Sequence, residues 1–139
     1  MATYWIKEPH VTINTVDLSD HVKEVGLELS QNEIDAVVGG DDAMRRFATH
    51  KDWQLQIRFA QDFAAGEVDA TLWGVHDGGV GVAVILRPTT AAKGAANPEY
   101  TGTGIMPSYE PFGGGVGDEA IAPVTFRCSN GVGMARATT

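Results

Sequence analysis

The sequence has one cysteine, Cys128, among 139 residues, so it cannot form an internal disulfide. A lone cysteine is typical of a buried thiol made in a reducing compartment. Proline is scarce, with 6 residues against 17 glycines, which indicates a turn-rich chain rather than a disordered one. No apolar run approaches the ~20 residues of a membrane helix. The first ten residues also lack the basic and then apolar pattern of a secretory signal.

Positive charge is scarce as well. Ten Lys and Arg residues stand against 18 Asp and Glu residues, which gives a formal net charge of −8. This balance argues against a protein that grips nucleic acid, because such affinity comes mainly from cationic side chains that neutralise phosphates. It is compatible with a protein that lies near DNA without binding it.

Motifs that carry chemistry are missing too. No serine lies in a G-x-S-x-G motif, and the glycine-rich run at residues 113–117 is not followed by Lys-Ser/Thr or by a helix. The acidic pair at residues 41 and 42 lacks the spacing of a calcium loop. The histidines show no ligand spacing along the chain: His10, His21, His50 and His76. We therefore predict no enzyme, no catalytic residue, no cofactor and no metal site.

Alternation typical of β-strands fills much of the chain. Residues 11–16 and 22–29, joined by a polar turn, predict a first hairpin, and residues 33–38 predict a short strand. In residues 53–59 large apolar residues alternate with Gln54, Gln56 and Arg58, which predicts a strand with one core face. Residues 80–87 are apolar on both faces and predict an interior strand.

Two further extended stretches, residues 100–109 and 120–128, flank the glycine-rich loop. Their β-branched and aromatic residues predict an antiparallel pair, which we place at the centre of the sheet. One segment, residues 62–76, changes period: its apolar stripe of Val68, Thr71, Leu72 and Val75 predicts a helix that ends at Gly78-Gly79.

These elements predict the α+β class: an antiparallel β-sandwich or barrel of about seven to eight strands with one flanking helix. We expect a single domain over residues 1–139, with an N-terminal arm (1–10), a long loop (39–52) and a C-terminal arm (130–139). The loop could form helical turns over residues 43–50, and it is either a solvated loop or a partner contact. The aromatic residues of the N-terminal arm either pack on the core or dock on a neighbouring subunit.

The segment NPEYTGTGIMPSYEPFGGGVGDEAIAPVTF, residues 97–126, resembles the C-terminal part of phage tail tube proteins. Residues 13–22, followed by Val25, Leu27 and Glu28, are similar to the first hairpin of that family. The order of strands, loop, helix and strands also fits, so the resemblance spans nearly the whole chain.

The resemblance implies a self-assembling structural subunit of the virion, made in the host cytoplasm. Six copies would join their sheets edge to edge into a ring around a lumen, and rings would stack. DNA would pass through the lumen without specific binding. The protein would act on no membrane, and its partners would be further copies of itself and the tape-measure, distal-tail and tail-terminator proteins.

Two sets of residues are candidates for these contacts. The ring-stacking and assembly candidates are Asp41, Asp42, Arg45, Arg46, Phe47, Tyr4 and Trp5. The candidates for the lumen or for ring contacts are Glu24, Glu28, Gln54, Gln56 and Arg58. Alternatives to a tube subunit are a tail terminator or distal-tail ring, and a small ligand-binding β-barrel.

Overall fold

The structure is a computed structural model that describes residues 3–139. Within them lie eight β-strands, one α-helix and a short 3-10 helix over Ser19–His21. In chain order the elements are β1 (His10–Ile13), β2 (Val16–Asp17), β3 (Val22–Asp35), β4 (Arg46–Ala60), α1 (Val68–Gly78), β5 (Val82–Arg87), β6 (Glu99–Ile105), β7 (Ile121–Cys128) and β8 (Ala135–Ala137).

All strands belong to one antiparallel sheet with the order β2-β1-β5-β6-β7-β4-β3, and β8 pairs with β6 outside this path. The predicted class, a β-rich α+β fold with one helix, is confirmed. In the described chain the sheet ends at β2 on one side and at β3 on the other.

The predicted central pair, β6 and β7, is antiparallel and lies in the interior of the sheet. Its pairing is limited to Gly104 with Cys128 and Ile105 with Arg127. The rest of β7 runs along β4, and β8 occupies the other end of β6. The C-terminal arm therefore supplies a strand of the sheet.

The predicted first hairpin is wrong. The strand of residues 11–16 is divided into β1 and β2, which pair with each other, and β1 also pairs with β5. The partner of β3 is β4, over nearly the whole length of both strands. Sequence neighbours often pair, but here a short turn reverses the chain before β3 begins, and β1 pairs with a strand about 70 residues away.

The expectations for residues 33–52 also need correction. Residues 33–35 are the end of the long strand β3 rather than a separate strand, and the helical turns expected over residues 43–50 are replaced by β4, which begins at Arg46. The connection between the two strands is therefore shorter than the predicted loop of residues 39–52. Backbone pairing with β3 overrides the local helix preference of this segment.

The helix α1 forms where the apolar stripe predicts it. Val68, Leu72 and Val75 are buried in the core, and the helix ends at Gly79, whose φ of 65° is the left-handed conformation that glycine adopts most readily. No helix in residues 3–139 is long and apolar enough to cross a membrane.

One apolar cluster joins the sheet to the helix. The four residues expected on the core face of β4 are all buried: Trp53, Leu55, Ile57 and Phe59. They pack with apolar side chains of β1, β5, β7 and α1. The interior strand predicted over residues 80–87 is also found, as β5 between β1 and β6.

Candidate assembly surfaces

The edge strand β3 is the longest open border of the sheet. It spans 14 residues, and within residues 3–139 it pairs on one side only, with β4. The opposite border, β2, has two residues. At ~3.3 Å per residue, β3 presents a border of about 45 Å with unpaired backbone donors and acceptors.

Beyond the core, β3 and β4 continue together as a hairpin extension, residues 30–51. Nearly all of its side chains are exposed; Ala36 and Asp41 are half-buried. Ile34 lies directly opposite Phe47 in the ladder, and these side chains are 54% and 55% exposed. Val37, Val38 and Met44 near the tip are also exposed. The extension therefore presents several large apolar side chains to solvent.

Several charged residues of the extension form hydrogen bonds or ion pairs with one another. Asp41 accepts a hydrogen bond from the backbone N–H of Val38 at 3.0 Å and one from Arg45 at 2.8 Å. Arg46 lies 3.2 Å from Glu33 and 3.1 Å from Asp35. Of the stacking candidates in this segment, all but Asp41 are exposed, and Asp41, Arg45 and Arg46 form ion pairs within the hairpin.

The five lumen candidates lie together on one face of the sheet. Glu24 pairs in register with Arg58, and Glu28 pairs with Gln54. On β4, Gln56 lies between Gln54 and Arg58 on the same face. The carboxylate of Glu24 lies 3.5 Å from the guanidinium of Arg58. Thr125 and Arg127 of β7 continue the face.

This face carries both signs of charge. Two glutamates are balanced by Arg58 and Arg127, and Asp52, the next residue on the same face of β4, adds one acid. The negative charge of the chain is therefore spread over other surfaces as well. Paired residues point to the same side of a sheet, so these side chains form one polar strip across β3, β4 and β7.

The remaining stacking candidates lie in the N-terminal segment. The hydroxyl of Tyr4 donates a hydrogen bond to the carbonyl of Pro88, which anchors the segment near the end of β5. Trp5 is 81% exposed and Ile6 is 63% exposed. The two candidates, Tyr4 and Trp5, therefore lie near the end of β5 and not on the hairpin extension.

A polar network ties the glycine-rich loop to the helix. The hydroxyl of Tyr109 donates to Asp69 of α1 at 2.8 Å, and Gln61 donates to Tyr109 at 3.0 Å and to the carbonyl of Pro111 at 2.8 Å. Burial, together with the carboxylate of Asp69, raises the pKa of Tyr109 to about 12. The tyrosine therefore stays protonated, as its donor role requires.

One cluster escaped the sequence analysis: His21, Asp62 and Glu67 converge at the start of β3. Burial lowers the pKa of His21, but hydrogen bonds to Asp62 and Asp20 and the charge of Glu67 outweigh it, so the pKa is raised. Asp62 lies 41 residues after His21 in the chain. Spacing rules that search for ligands on one helix face cannot find such a group.

No protein-family model matches this chain, and neither does any curated protein. Its fold is similar to that of a chain in the virion of a native gene transfer agent particle, with a TM-score of 0.74 and 6% sequence identity. That similarity covers 94% of this chain and 96% of the other.

A second similar chain belongs to the tail of an empty gene transfer agent particle, solved by helical refinement with C6 symmetry. The TM-score is 0.64 at 10% identity, over 86% of this chain and 82% of that one. A more distant likeness is to the Dit protein of phage SPP1, described as a paradigm of the hub adsorption apparatus, with a TM-score of 0.45, 13% identity, and 89% and 51% coverage. The chain thus has a fold found in components of gene transfer agent particles.

Proposed function

We propose that the chain is a structural subunit of a phage-type tail tube, in which rings of identical copies stack around a channel for DNA. The observation that carries the proposal is the open 14-residue edge of β3. A long unpaired edge is a liability in a lone molecule, because it is a template for pairing with other chains. A ring of copies that pair edge to edge removes it.

The ring contact would join different borders of two copies. The sheet has one long border at β3 and a short one at β2, and the proposed contact would join β3 of one copy to the β2 side of the next. A head-to-tail contact closes into a ring when its rotation divides a full turn. Six copies are the expected number, and the similar fold in a tail with C6 symmetry supports it.

The hairpin extension would then make the contact between stacked rings. Several of its charges are paired internally, whereas Ile34 and Phe47 are exposed on one side of the ladder. Exposed apolar side chains in one patch mark a contact surface. Trp5, in the N-terminal segment, is a second candidate for the same contact.

The polar strip on β3, β4 and β7 would face the channel. It has no excess of positive charge, so it offers few cationic sites to DNA phosphates. Six copies at −8 each give the ring a formal charge of −48. Both the strip, which lacks an excess of cations, and the net charge of the ring favour passage of DNA without specific binding. The tape-measure, distal-tail and tail-terminator proteins would meet the tube inside and at its ends, within the virion.

Amide hydrogen exchange on the unassembled and assembled protein tests the ring contact. We expect assembly to slow exchange in peptides from β3 (Val22–Asp35) by more than about tenfold, because its outward amides gain partners. Peptides from α1 (Val68–Gly78) serve as the internal control and should change little. Assembly that leaves β3 exchange unaltered contradicts edge pairing.

Negative-stain electron microscopy of variants tests the stacking contact. The double variant Ile34→Ser/Phe47→Ser should fold and form rings but no long tubes. The matched control is Val116→Ser/Phe112→Ser, which also removes one exposed aliphatic and one exposed aromatic side chain. Long tubes from the first variant would reject the stacking surface.

Electron microscopy of the unaltered chain also distinguishes a tube subunit from the alternative functions. Discrete hexamers from the unaltered chain, without tubes, would indicate a terminator or distal-tail ring. A monomer is compatible with a tube subunit that awaits nucleation, but an experimental structure of a monomer with closed sheet borders and an enclosed pocket would reject the proposal and favour a ligand-binding β-barrel.

A further inference from the structure

Three side-chain atoms of the kinds that bind metal ions, one nitrogen and two carboxylate oxygens, lie together at the start of β3. His21 Nε2 lies 3.0 Å from Asp62 Oδ2 and 3.7 Å from Glu67 Oε2. One ligand atom from each residue lies within 4.8 Å of the other two. When ionised, the two carboxylates can only accept hydrogen bonds, so the group requires a positive partner, which is either the protonated imidazole of His21 or a metal ion that replaces its Nε2 proton.

The separations match the ligands of one metal ion. Two ligand atoms at ~2.0–2.1 Å from a tetrahedral Zn²⁺ lie about 3.4 Å apart. The His21–Asp62 and His21–Glu67 distances, 3.0 and 3.7 Å, fall on either side of this value. Small side-chain shifts would therefore bring all three ligands to one ion.

The orientation of His21 is already fixed by a fourth residue. Its Nδ1 lies 2.8 Å from Asp20 Oδ1, so this nitrogen is the donor and Nε2 is the atom aimed at Asp62 and Glu67. A carboxylate on the far nitrogen is the usual support of a metal-bound histidine, because it sets the tautomer and raises the basicity of the ligand. Asp62 is also held, since its Oδ1 accepts from the backbone N–H of Ala64 at 2.9 Å.

The site is open enough for an ion to enter. The side chain of His21 is 16% exposed, and those of Asp62 and Glu67 are 35% and 40% exposed. Glu67 is the residue immediately before α1, and Asp62 lies in the segment between β4 and the helix. An ion would thus tie the start of the edge strand to the beginning of the helix.

We propose that His21, Asp62 and Glu67 bind a divalent transition-metal ion of the Zn²⁺ class, with water completing the coordination. One imidazole and two carboxylates suit Zn²⁺ better than Ca²⁺, which takes six to eight oxygen ligands. The ion stabilises the folded chain, because it binds the assembled cluster and not the unfolded one.

Isothermal titration calorimetry with Zn²⁺ at pH 7.5 tests the site. The unaltered chain should bind one equivalent, and Asp62→Asn or Glu67→Gln, which keep the shape of each side chain, should weaken binding at least about tenfold. His21→Asn should abolish it. The control variants are His50→Gln and Cys128→Ser, which remove other ligand-type side chains and should bind normally. Equal binding by the cluster variants and the controls overturns the proposal.

Two further measurements do not depend on the variants. Added Zn²⁺ should raise the thermal unfolding midpoint, whereas the same concentration of Ca²⁺ should not. In NMR spectra, Zn²⁺ should shift the His21 Nε2 resonance and leave the proton on Nδ1. A proton that stays on Nε2 in excess Zn²⁺ would mean that His21 is an imidazolium bridging two carboxylates, and the proposal would be wrong.

Discussion

The backbone of Gly104 lies against the indole ring of Trp53. A Cβ atom built at Gly104 would come within 2.6 Å of Trp53 Cη2 and 2.7 Å of the carbonyl oxygen of Arg127. The neighbouring Gly102 is similarly close to the same ring. These two glycines of β6 are therefore required by packing, because only a residue without a side chain lets the strand approach the buried tryptophan.

Replacing Gly104 with alanine should destabilise the fold by about 1–3 kcal/mol, because the ring or the strand must move. Gly26→Ala is the matched control, since a Cβ atom there meets nothing within 4 Å. It should change stability by less than about 0.5 kcal/mol. Urea unfolding of both variants measures the difference, and equal midpoints would contradict the packing explanation.

Removal of the Tyr109 hydroxyl should loosen the glycine-rich loop. Tyr109→Phe leaves Asp69 without its donor and should cost about 1–2 kcal/mol in urea unfolding. Tyr100→Phe is the control, because that hydroxyl makes an exposed hydrogen bond of 3.3 Å with Arg136. Faster hydrogen exchange in residues 110–120 of the Tyr109 variant would locate the effect; an unchanged loop would argue against the anchor.

Stability should depend on pH through His10. Burial and the nearby charge of Arg87 lower the pKa of His10 below its usual value of 6.5, against the opposite effects of Asp17 and Glu99. The unfolded chain then binds the proton more readily than the folded one. The free energy of unfolding should therefore fall as pH drops below about 6.5, until the lower pKa of the folded state is passed.

The variant His10→Gln isolates this contribution from those of the other histidines. The difference in unfolding free energy between the unaltered chain and the variant should shrink as pH falls from 7.5 to 5. A difference that stays constant over this range would show that His10 titrates equally in both states.

The polar strip, which we propose faces the channel, makes a prediction for DNA passage. Glu24→Lys/Glu28→Lys places cations on that face and should slow triggered DNA release from particles while tubes still assemble. Glu8→Lys/Glu110→Lys changes the net charge equally at other exposed positions and serves as the control. Equal release rates for the two variants would contradict the proposal that the strip faces the channel.

The parts of the fold that follow from local pattern could be predicted. The apolar alternation around Trp53, the helix stripe ending at Gly79 and the interior strand β5 are all present where periodicity places them. For the strand around Trp53 and for the helix, the side-chain period already determines which face is buried; for β5, which is apolar on both faces, the sequence predicts an interior strand but not its buried face. The alternating runs also place Glu24 and Arg58 each on the polar face of its own strand, but their position opposite one another depends on the pairing of β3 with β4, which was not predicted.

Features that depend on distant pairing could not be predicted. The segment around Arg46 and Phe47 has no strong strand pattern and is extended because it pairs with β3. The meeting of His21 with Asp62 depends on how the segment after β4 folds back. Gly104 is likewise explained only by the ring that faces it across the sheet.

The ladder between β3 and β4 changes register where Gln31 pairs with Lys51 and Glu33 with Ala48. Two steps along β3 therefore correspond to three along β4, so β4 holds one surplus residue. Without the surplus residue, the side chain of Phe47 would lie on the same face of the sheet as Trp53. With the surplus residue, it lies on the same face as Ile34. A single-residue deletion between Ala48 and Lys51 would thus rotate this phenylalanine to the opposite surface without changing any apolar side chain.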